Sequence, residues 1–216
     1  MPITFDLRVV ELLASRLCHD LVSPIGAVNN GMELLEESPG DVGAVQDAVS
    51  LAGGSARQAS AALQFFRAAY GQAGRHAFTA PDQLAELADA FARGRKSTVD
   101  WPPDPRWRDL SADAGKLALN MVALGVETLP RGGTVRVALA DGGMLPLVAA
   151  SGQGARVGEG NLAAIAADAD PADLTPYTVH AYFTARLAEH CGAELRTDAT
   201  DRDAVELRAA PRAGGG

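Results

Sequence analysis

Apolar residues recur every three or four positions from Asp6 to Glu37, and this spacing predicts one long amphipathic helix. The segment Ser38-Pro39-Gly40-Asp41 then stops the helix and begins a tight turn. A second apolar ladder with the same spacing ends near Gly71 and Gly74. Two helices joined by so short a turn are expected to pack as an antiparallel hairpin. The two ladders are Val10, Leu13, Leu17, Leu21, Ile25, Val28, Met32 and Leu35, and Val45, Val49, Ala52, Ala56, Ala59, Leu63, Phe66 and Tyr70.

A lone hairpin cannot cover both apolar ladders, because a layer of two helices leaves one side in water. Pairing with a second copy of the chain would bury that side in a four-helix bundle. We therefore expect a homodimer, which a charged residue at Leu13 or Met32 would break.

The pattern changes to short strands and helices after residue 75, so we predict two domains, 1–74 and 75–216. Pro81 suits a first helical turn, Gly192 suits a helix stop, and residues 102–105 suit a rigid loop. The predicted fold class is α+β, with the hairpin followed by an α/β sandwich whose antiparallel-rich sheet has helices on one face. The predicted strands are His76–Thr79, Thr98–Trp101, Thr134–Ala140, Leu145–Ala150, Ala193–Asp198 and Ala204–Ala209, and the predicted helices are Pro81–Arg93, Ala112–Leu129, Asn161–Ala167 and Pro176–Cys191.

Charge and composition narrow the class of partner. The net charge of −8 argues against nucleic acid, which requires clustered basic residues. The chain contains no apolar run of the ~18 residues that a membrane span needs and no secretory signal pattern, so we expect a cytoplasmic protein without membrane contact. Residues 48–75 contain no acidic side chain. This stretch either suits binding to an acidic partner surface or reflects a chance bias in the surface composition. Cys18 and Cys191 lack metal-site spacing and are expected to be reduced, partly buried thiols.

His19 lies about 200° around the first helix from Leu17, outside the apolar ladder. Arg16 and Ser23, one turn on either side, share its polar face. A histidine in a structural core would lie on the ladder, so this position favours a chemical role. The other histidines, His76, His180 and His190, are scattered, and structural or surface roles are expected for them.

Two irregularities lie near the same level of the hairpin. Pro24 removes an amide from the first helix and should bend it, while Gly53-Gly54 weakens the second helix. If the hairpin folds about Pro39-Gly40, residues at the same level of the two helices have position numbers that add up to about 79. By this rule Gly53-Gly54 lies opposite Ile25 and Gly26. We expect a close approach there. The same mapping places Ser60 opposite His19, with Arg57 and Gln64 one turn on either side.

The motif His19-Asp20-Leu21-Val22-Ser23-Pro24 resembles the phosphoacceptor box of sensor histidine kinases. The longer string SRLCHDLVSPIGAVNNGMELL, together with FFRAAYG on the second helix, is similar to the ChpT-type histidine phosphotransferases of alphaproteobacterial phosphorelays. The resemblance covers nearly the whole chain. It implies that the second domain is a degenerate relative of the histidine-kinase ATP-binding domain, and that phosphate moves between receiver domains.

The chemistry fits these residue types. A neutral imidazole can attack an aspartyl phosphate and pass the group to another aspartate. Asp20 can hold the N–H of the ring, and Arg16 and Arg57 can offset the phosphoryl charge, although a solvated surface role suits either arginine equally well. Docking is expected on Val22, Pro24, Ile25, Gly26 and Asn29 and on Arg57, Ser60 and Gln64, while Phe65, Phe66 and Tyr70 either join that face or pack on the second domain.

Three boxes that the resemblance assigns to ATP binding are altered. Leu124 stands where kinases place a Mg²⁺-binding asparagine, although Asn120 remains. Ala150 replaces the adenine-binding aspartate, and Pro176 lies where a phosphate-binding glycine box is expected. We therefore predict that the chain uses neither ATP nor another cofactor, and that any Mg²⁺ requirement belongs to the partner receiver.

These observations favour a histidine phosphotransferase that uses phospho-His19. An alternative is a non-catalytic module that binds receivers or a kinase, but it has no need for the His19, Asp20, Ser23 and Pro24 box. A third possibility, an autophosphorylating kinase, is opposed by Leu124 and Ala150. The resemblance implies two kinds of partner, namely the receiver of a hybrid sensor kinase upstream and response regulators downstream.

Overall fold

The computed structural model describes residues 6–37, 40–71, 80–140, 143 and 145–212. The predicted strand His76–Thr79 and the predicted domain boundary at 74/75 lie outside these residues. None of the helices within the described ranges is long and apolar enough to cross a bilayer.

The hairpin consists of α1, Leu7–Glu37, and α2, Val42–Ala69. The carboxylate of Asp41 caps α2 by accepting hydrogen bonds from the amides of Gly43 and Ala44. Helix α1 continues through Pro24, whose missing amide leaves the Asp20 carbonyl without its helical partner.

The described part of the second domain contains four helices and five strands, at bounds close to those predicted. Gly192 follows α6 with a φ of +74°, a conformation that favours glycine and ends the helix. The helices are α3 Pro81–Arg93, α4 Ala112–Glu127, α5 Glu159–Ile165 and α6 Val179–His190, the strands are β1 Ser97–Asp100, β2 Gly133–Leu139, β3 Pro146–Ser151, β4 Ala193–Asp201 and β5 Ala204–Pro211, and two 3₁₀ turns lie at Pro105–Asp109 and Pro171–Asp173.

The five strands form one sheet in the order β1-β2-β3-β5-β4. Only β1 and β2 run parallel among the described strands, and the other neighbours are antiparallel. Alternate residues of β3 and β5 are buried, including Val148, Ala150 and Leu207. This alternation is typical of a sheet with one covered face, so the predicted α+β class is confirmed. Pro105 begins a 3₁₀ turn, so the predicted rigid loop ends one residue earlier.

The hairpin packs directly on the second domain. The ring of Phe65 in α2 stacks on Phe91 in α3, with 3.9 Å between centroids and 14° between planes. Nδ2 of the buried Asn120 in α4 donates to the carbonyl oxygen of Ala69 at 2.9 Å. Arg8 in α1 donates to the carbonyl oxygens of Pro171 and Leu174. These contacts hold the two parts of the described chain together.

Among the described glycines of the hairpin, Gly31 marks a tight contact between α1 and α2. A Cβ added at Gly31 would come within 3.0 Å of Ala48 and Ala52, whereas one added at Gly54 would meet nothing within 4 Å. The contact between Gly31 and Ala48 does fit the predicted register, because their position numbers add up to 79. Within this chain, however, Gly53-Gly54 does not mark a tight contact.

Candidate functional site

His19 lies in the first half of α1 and faces solvent. Its side chain is 70% exposed, and Ser23, one turn later, is also exposed. The side chain of Asp20 points toward the second domain and is 15% exposed, while Pro24 is buried. An exposed imidazole on a regular helix can be reached by a second protein without rearrangement of this one.

Two guanidinium groups hold the carboxylate of Asp20. Nη2 of Arg95, which follows α3, donates to Oδ2 at 3.1 Å, and Nε of Arg16 lies 3.5 Å from the same oxygen. The other oxygen, Oδ1, is 3.6 Å from Nδ1 of His19, slightly beyond hydrogen-bond distance. Asp20 is therefore close to the ring, but its direct polar contacts are with arginines.

Arg16 links α1 to the second domain. Its Nη2 donates to Oε1 of Glu127 at 2.6 Å, and its Nη1 reaches the carbonyl oxygens of Pro176 and Tyr177 at 3.4 and 3.5 Å. The same oxygen of Glu127 lies 2.9 Å from Nδ1 of the buried His180. A row of polar groups thus runs from the His19 face of α1 into the interface with α4 and α6.

Burial and neighbouring charges shift the pKa values of the groups in this polar row in opposite directions. Burial alone would raise the pKa of Glu127, but His180 and Arg16 outweigh it and the net pKa is lowered. Burial alone would lower the pKa of Arg16, but Glu127 and Asp20 more than offset it and the net pKa is raised. Burial lowers the pKa of Arg95, and Asp20 offsets only part of that effect. Glu127 and Arg16 are therefore held as an ion pair.

Tyr177 stands beside His19. The two rings meet edge to face, with 6.3 Å between centroids and 75° between planes. Tyr177 is 70% exposed and lies just before α6, in the segment where the sequence lacks the glycine box. The second domain therefore supplies part of the surface around the histidine.

The predicted docking residues of α1 lie on the outer surface of the hairpin except Pro24, which is buried and therefore not available to a partner. Val22 is 69% exposed, Ile25 is 49% exposed and Asn29 is also exposed. Val22 and Gly26 lie within about 60° of His19 around the helix, whereas Ile25 lies about 120° away. Val22 and Gly26 therefore adjoin the His19 side chain more closely than Ile25 does.

The residues of α2 that were predicted to join the docking face lie on a different side of that helix from the one expected. Arg57, Ser60 and Gln64 line a groove together with Gln83 of α3, and they lie about 120–180° around α2 from Ala48, which faces α1. The prediction that Ser60 faces His19 is therefore wrong. The antiparallel register fixes the level of a residue along the hairpin, but not the side of the helix on which it lies.

The aromatic residues at the end of α2 pack inward. Phe65 and Phe66 are buried against Phe91, and Tyr70 contacts the rings of His180 and Phe183. Of the two expected roles, packing on the second domain is the one observed.

Two of the three positions that the resemblance relates to ATP binding lie in the core, while Pro176 is only half-buried. Leu124 and Ala150 are fully buried, and Gly125, the residue after Leu124, leaves room for the side chain of Val148 in β3. Asn120 is also buried and donates to the carbonyls of Ala69 and Lys116.

Sequence reasoning missed Arg95, Glu127 and Tyr177, since each lies far from His19 along the chain and none forms a recognisable motif. His180 was expected to be structural, and the structure buries it against Glu127. Cys18 is exposed rather than partly buried, while Cys191 is half-buried and burial raises its pKa to about 11. The described residues contain no cluster suited to a metal ion.

An exposed histidine flanked by a carboxylate and arginines, on a hairpin that packs on an α/β domain, defines a histidine phosphotransfer protein. The family described as "Histidine phosphotransferase C-terminal domain" matches residues 81–203. The chain is 36% identical to protein phosphotransferase ChpT of Brucella abortus (strain 2308) over 209 residues, which cover 95% of this chain and 97% of that protein. A solved bacterial phosphotransferase shares 34% identity and a TM-score of 0.75, over 97% of this chain and 99% of that one. The chain belongs to the histidine phosphotransferase family, whose members act in two-component phosphorelays.

Proposed function

We propose that this phosphotransferase carries its phosphoryl group on His19 and relays it between receiver-domain aspartates without binding ATP. The observation that carries the proposal is the exposed imidazole of His19 beside a carboxylate that two arginines hold. The upstream donor is the receiver of a hybrid sensor kinase, and the acceptors are downstream response regulators.

The transfer step needs only His19, Asp20 and the aspartyl phosphate of the partner. A neutral ring nitrogen of His19 attacks the phosphorus of the aspartyl phosphate, the N–P bond forms, and the P–O bond to the partner's carboxylate breaks. The partner aspartate leaves with the electron pair of that bond. The ring becomes cationic until its remaining N–H proton is released, and Asp20, 3.6 Å away, stabilises this charge. The second transfer reverses these events on another aspartate.

The homodimer is part of this proposal. Six apolar side chains, which we call the apolar stripe, are 49–71% exposed on one hairpin, and a shallow groove lined by Leu21 and Leu63 joins its two helices. Covering the exposed halves of six such side chains contributes about 5–9 kcal/mol. A second hairpin is suited to cover this surface while His19, on another side of α1, stays accessible. The apolar stripe consists of Leu7, Val10, Ile25, Met32, Val49 and Leu63.

The packing of Leu124 and Ala150 supports a relay without ATP, because neither side chain has an oxygen with which to bind Mg²⁺ or the adenine amine. We expect no label from Mg-ATP alone and no nucleotide binding by calorimetry. Micromolar affinity for ATP would contradict this part of the proposal.

The central test is incubation with a receiver domain that carries a radiolabelled phosphoryl group. Wild-type protein should accept the label as a phosphoramidate, labile in acid and stable in base, and then lose it to a second receiver. His19→Gln should accept none. If His19→Gln bound the receiver and still became labelled, the assignment of His19 would fail. Binding without label on the wild-type protein would favour the non-catalytic interaction module.

A further inference from the structure

Arg95 reaches the phosphotransfer face from the second domain, and aromatic stacking sets its position. Phe65 of α2 stacks on Phe91 of α3, and Cζ of Arg95 lies 3.9 Å from the centroid of the Phe91 ring. From that ring the guanidinium donates to Oδ2 of Asp20 in α1. One stack therefore connects the two hairpin helices through the second domain.

The backbone around Arg95 is also fixed. Its amide donates to the carbonyl of Ala92 at 2.8 Å, and Lys96 adopts a φ of +58° before β1 begins at Ser97. A side chain that starts from such a short, bonded turn has little freedom of position. Its side chain is 27% exposed, so the contact with Asp20 is partly shielded from water.

We propose that Arg95 is a positioning residue for phosphotransfer, which acts on His19 through the Asp20 carboxylate. This inference rests on the proposed phosphotransfer at His19. When a phosphoryl group approaches the ring, its negative charge meets the carboxylate 3.6 Å from Nδ1. Arg95 and Arg16 offset that charge, and the bond from Arg95 to Oδ2 leaves Oδ1 directed toward the imidazole.

The geometry of this contact matches a guanidinium group at position 95. Burial lowers the pKa of Arg95, which shows that its charge is partly desolvated there, and Asp20 opposes this effect. The contact thus requires a guanidinium, because its planar group stacks on the Phe91 ring while its N–H groups donate a hydrogen bond to the Asp20 carboxylate.

The test is a double-mutant cycle of Arg95→Met and Asp20→Asn, with phosphoramidate as the phosphodonor so that receiver docking plays no part. In the wild-type background we expect Arg95→Met to slow phosphorylation of His19 about tenfold. In the Asp20→Asn background the same change should cost less than about twofold, because the group through which Arg95 acts is already altered. Arg95→Lys, which keeps the charge without the planar fork, should recover part of the rate.

The matched control is Arg93→Met, two residues earlier. Arg93 is 74% exposed and pairs with Asp89, so its loss should leave the rate unchanged. Equal losses for Arg95→Met in both backgrounds would overturn the proposal, since they would indicate a structural role. His19→Gln distinguishes the failure of the proposed function from the failure of the role of Arg95. If His19→Gln is still labelled, the proposed function fails. If labelling requires His19 but the effects of Arg95→Met and Asp20→Asn are additive, only the role of Arg95 fails.

Discussion

At the scale of single residues, the site combines an exposed histidine with charges buried behind it. Glu127 accepts hydrogen bonds from Arg16 at 2.6 Å and from His180, whose Nδ1 lies 2.9 Å away. An isolated carboxylate at this position would be costly, and the Arg16 guanidinium together with the hydrogen bond to His180 offsets that cost. The hairpin and the second domain therefore share one charge network directly behind the reactive face.

We expect Glu127→Gln to destabilise the protein by about 1–3 kcal/mol at pH 7, because it leaves the part-buried Arg16 with only its longer ionic contact to Asp20. The pKa of Glu127 is lowered in the folded state. Its contribution is therefore present above the unfolded value near ~4.3 and is lost as the pH falls through the lower folded value. Urea denaturation at several pH values should show the difference between wild type and variant shrinking in acid.

Glu194→Gln is the control for this experiment. Glu194 is half-exposed and pairs with Arg196 at the surface, so the change should shift stability by less than about 0.5 kcal/mol. A loss for Glu127→Gln that stays constant from neutral to acid pH would contradict the assigned ion pair.

The exposed position of His19 could be predicted from the sequence because its evidence is local. The chemistry of His19 depends on its own helix face and on the adjacent Asp20, both readable at helical spacing. Arg95 and Glu127 lie 75 and 111 positions from their partners in α1, and only tertiary packing brings them there. Residues that act through long-range contacts leave no such local pattern.

At the scale of helices and strands, the periodicity predicted the described elements to within a few residues. Helix α3 begins at Pro81 and ends at Arg93, as the spacing and the proline indicated. The level of each residue along the hairpin was also predictable, since Gly31 does face Ala48. The side of α2 that faces α1 was not, because the second domain also competes for the apolar side of that helix.

The tight contact at Gly31 gives a prediction for the hairpin. A larger side chain there would meet Ala52 and the backbone of Ala48 within 3.0 Å, so Gly31→Val should cost about 1–3 kcal/mol in thermal or chemical denaturation. Gly54→Ala is the matched helix glycine, and a Cβ there meets nothing within 4 Å of this chain. It should stabilise the protein by up to about 1 kcal/mol through helix propensity. Gly31→Val of unchanged stability would contradict the close packing of α1 on α2.

At the scale of the whole molecule, the proposed dimer leads to a pair of variants with opposite effects. Met32 belongs to the apolar stripe and is 51% exposed, while Val22 is 69% exposed near the His19 face. Met32→Glu should yield monomers by light scattering, because a charge would be buried in the second hairpin's contact. Val22→Glu should leave the dimer intact and weaken receiver binding. A folded, active, monomeric wild type at micromolar concentration would refute the bundle.

The contacts of Arg16 and Arg95 also restrict how α1 can move. Both guanidinium groups bind Asp20, and Arg16 additionally binds Glu127 and two carbonyls before α6. A rotation of α1 about its axis would break these contacts together, so we expect the helix to keep one orientation throughout the reaction. A carrier with one orientation has no on and off states of its own. In the proposed relay we therefore expect the direction of flow to follow from the relative supply of phosphorylated donors and free acceptors.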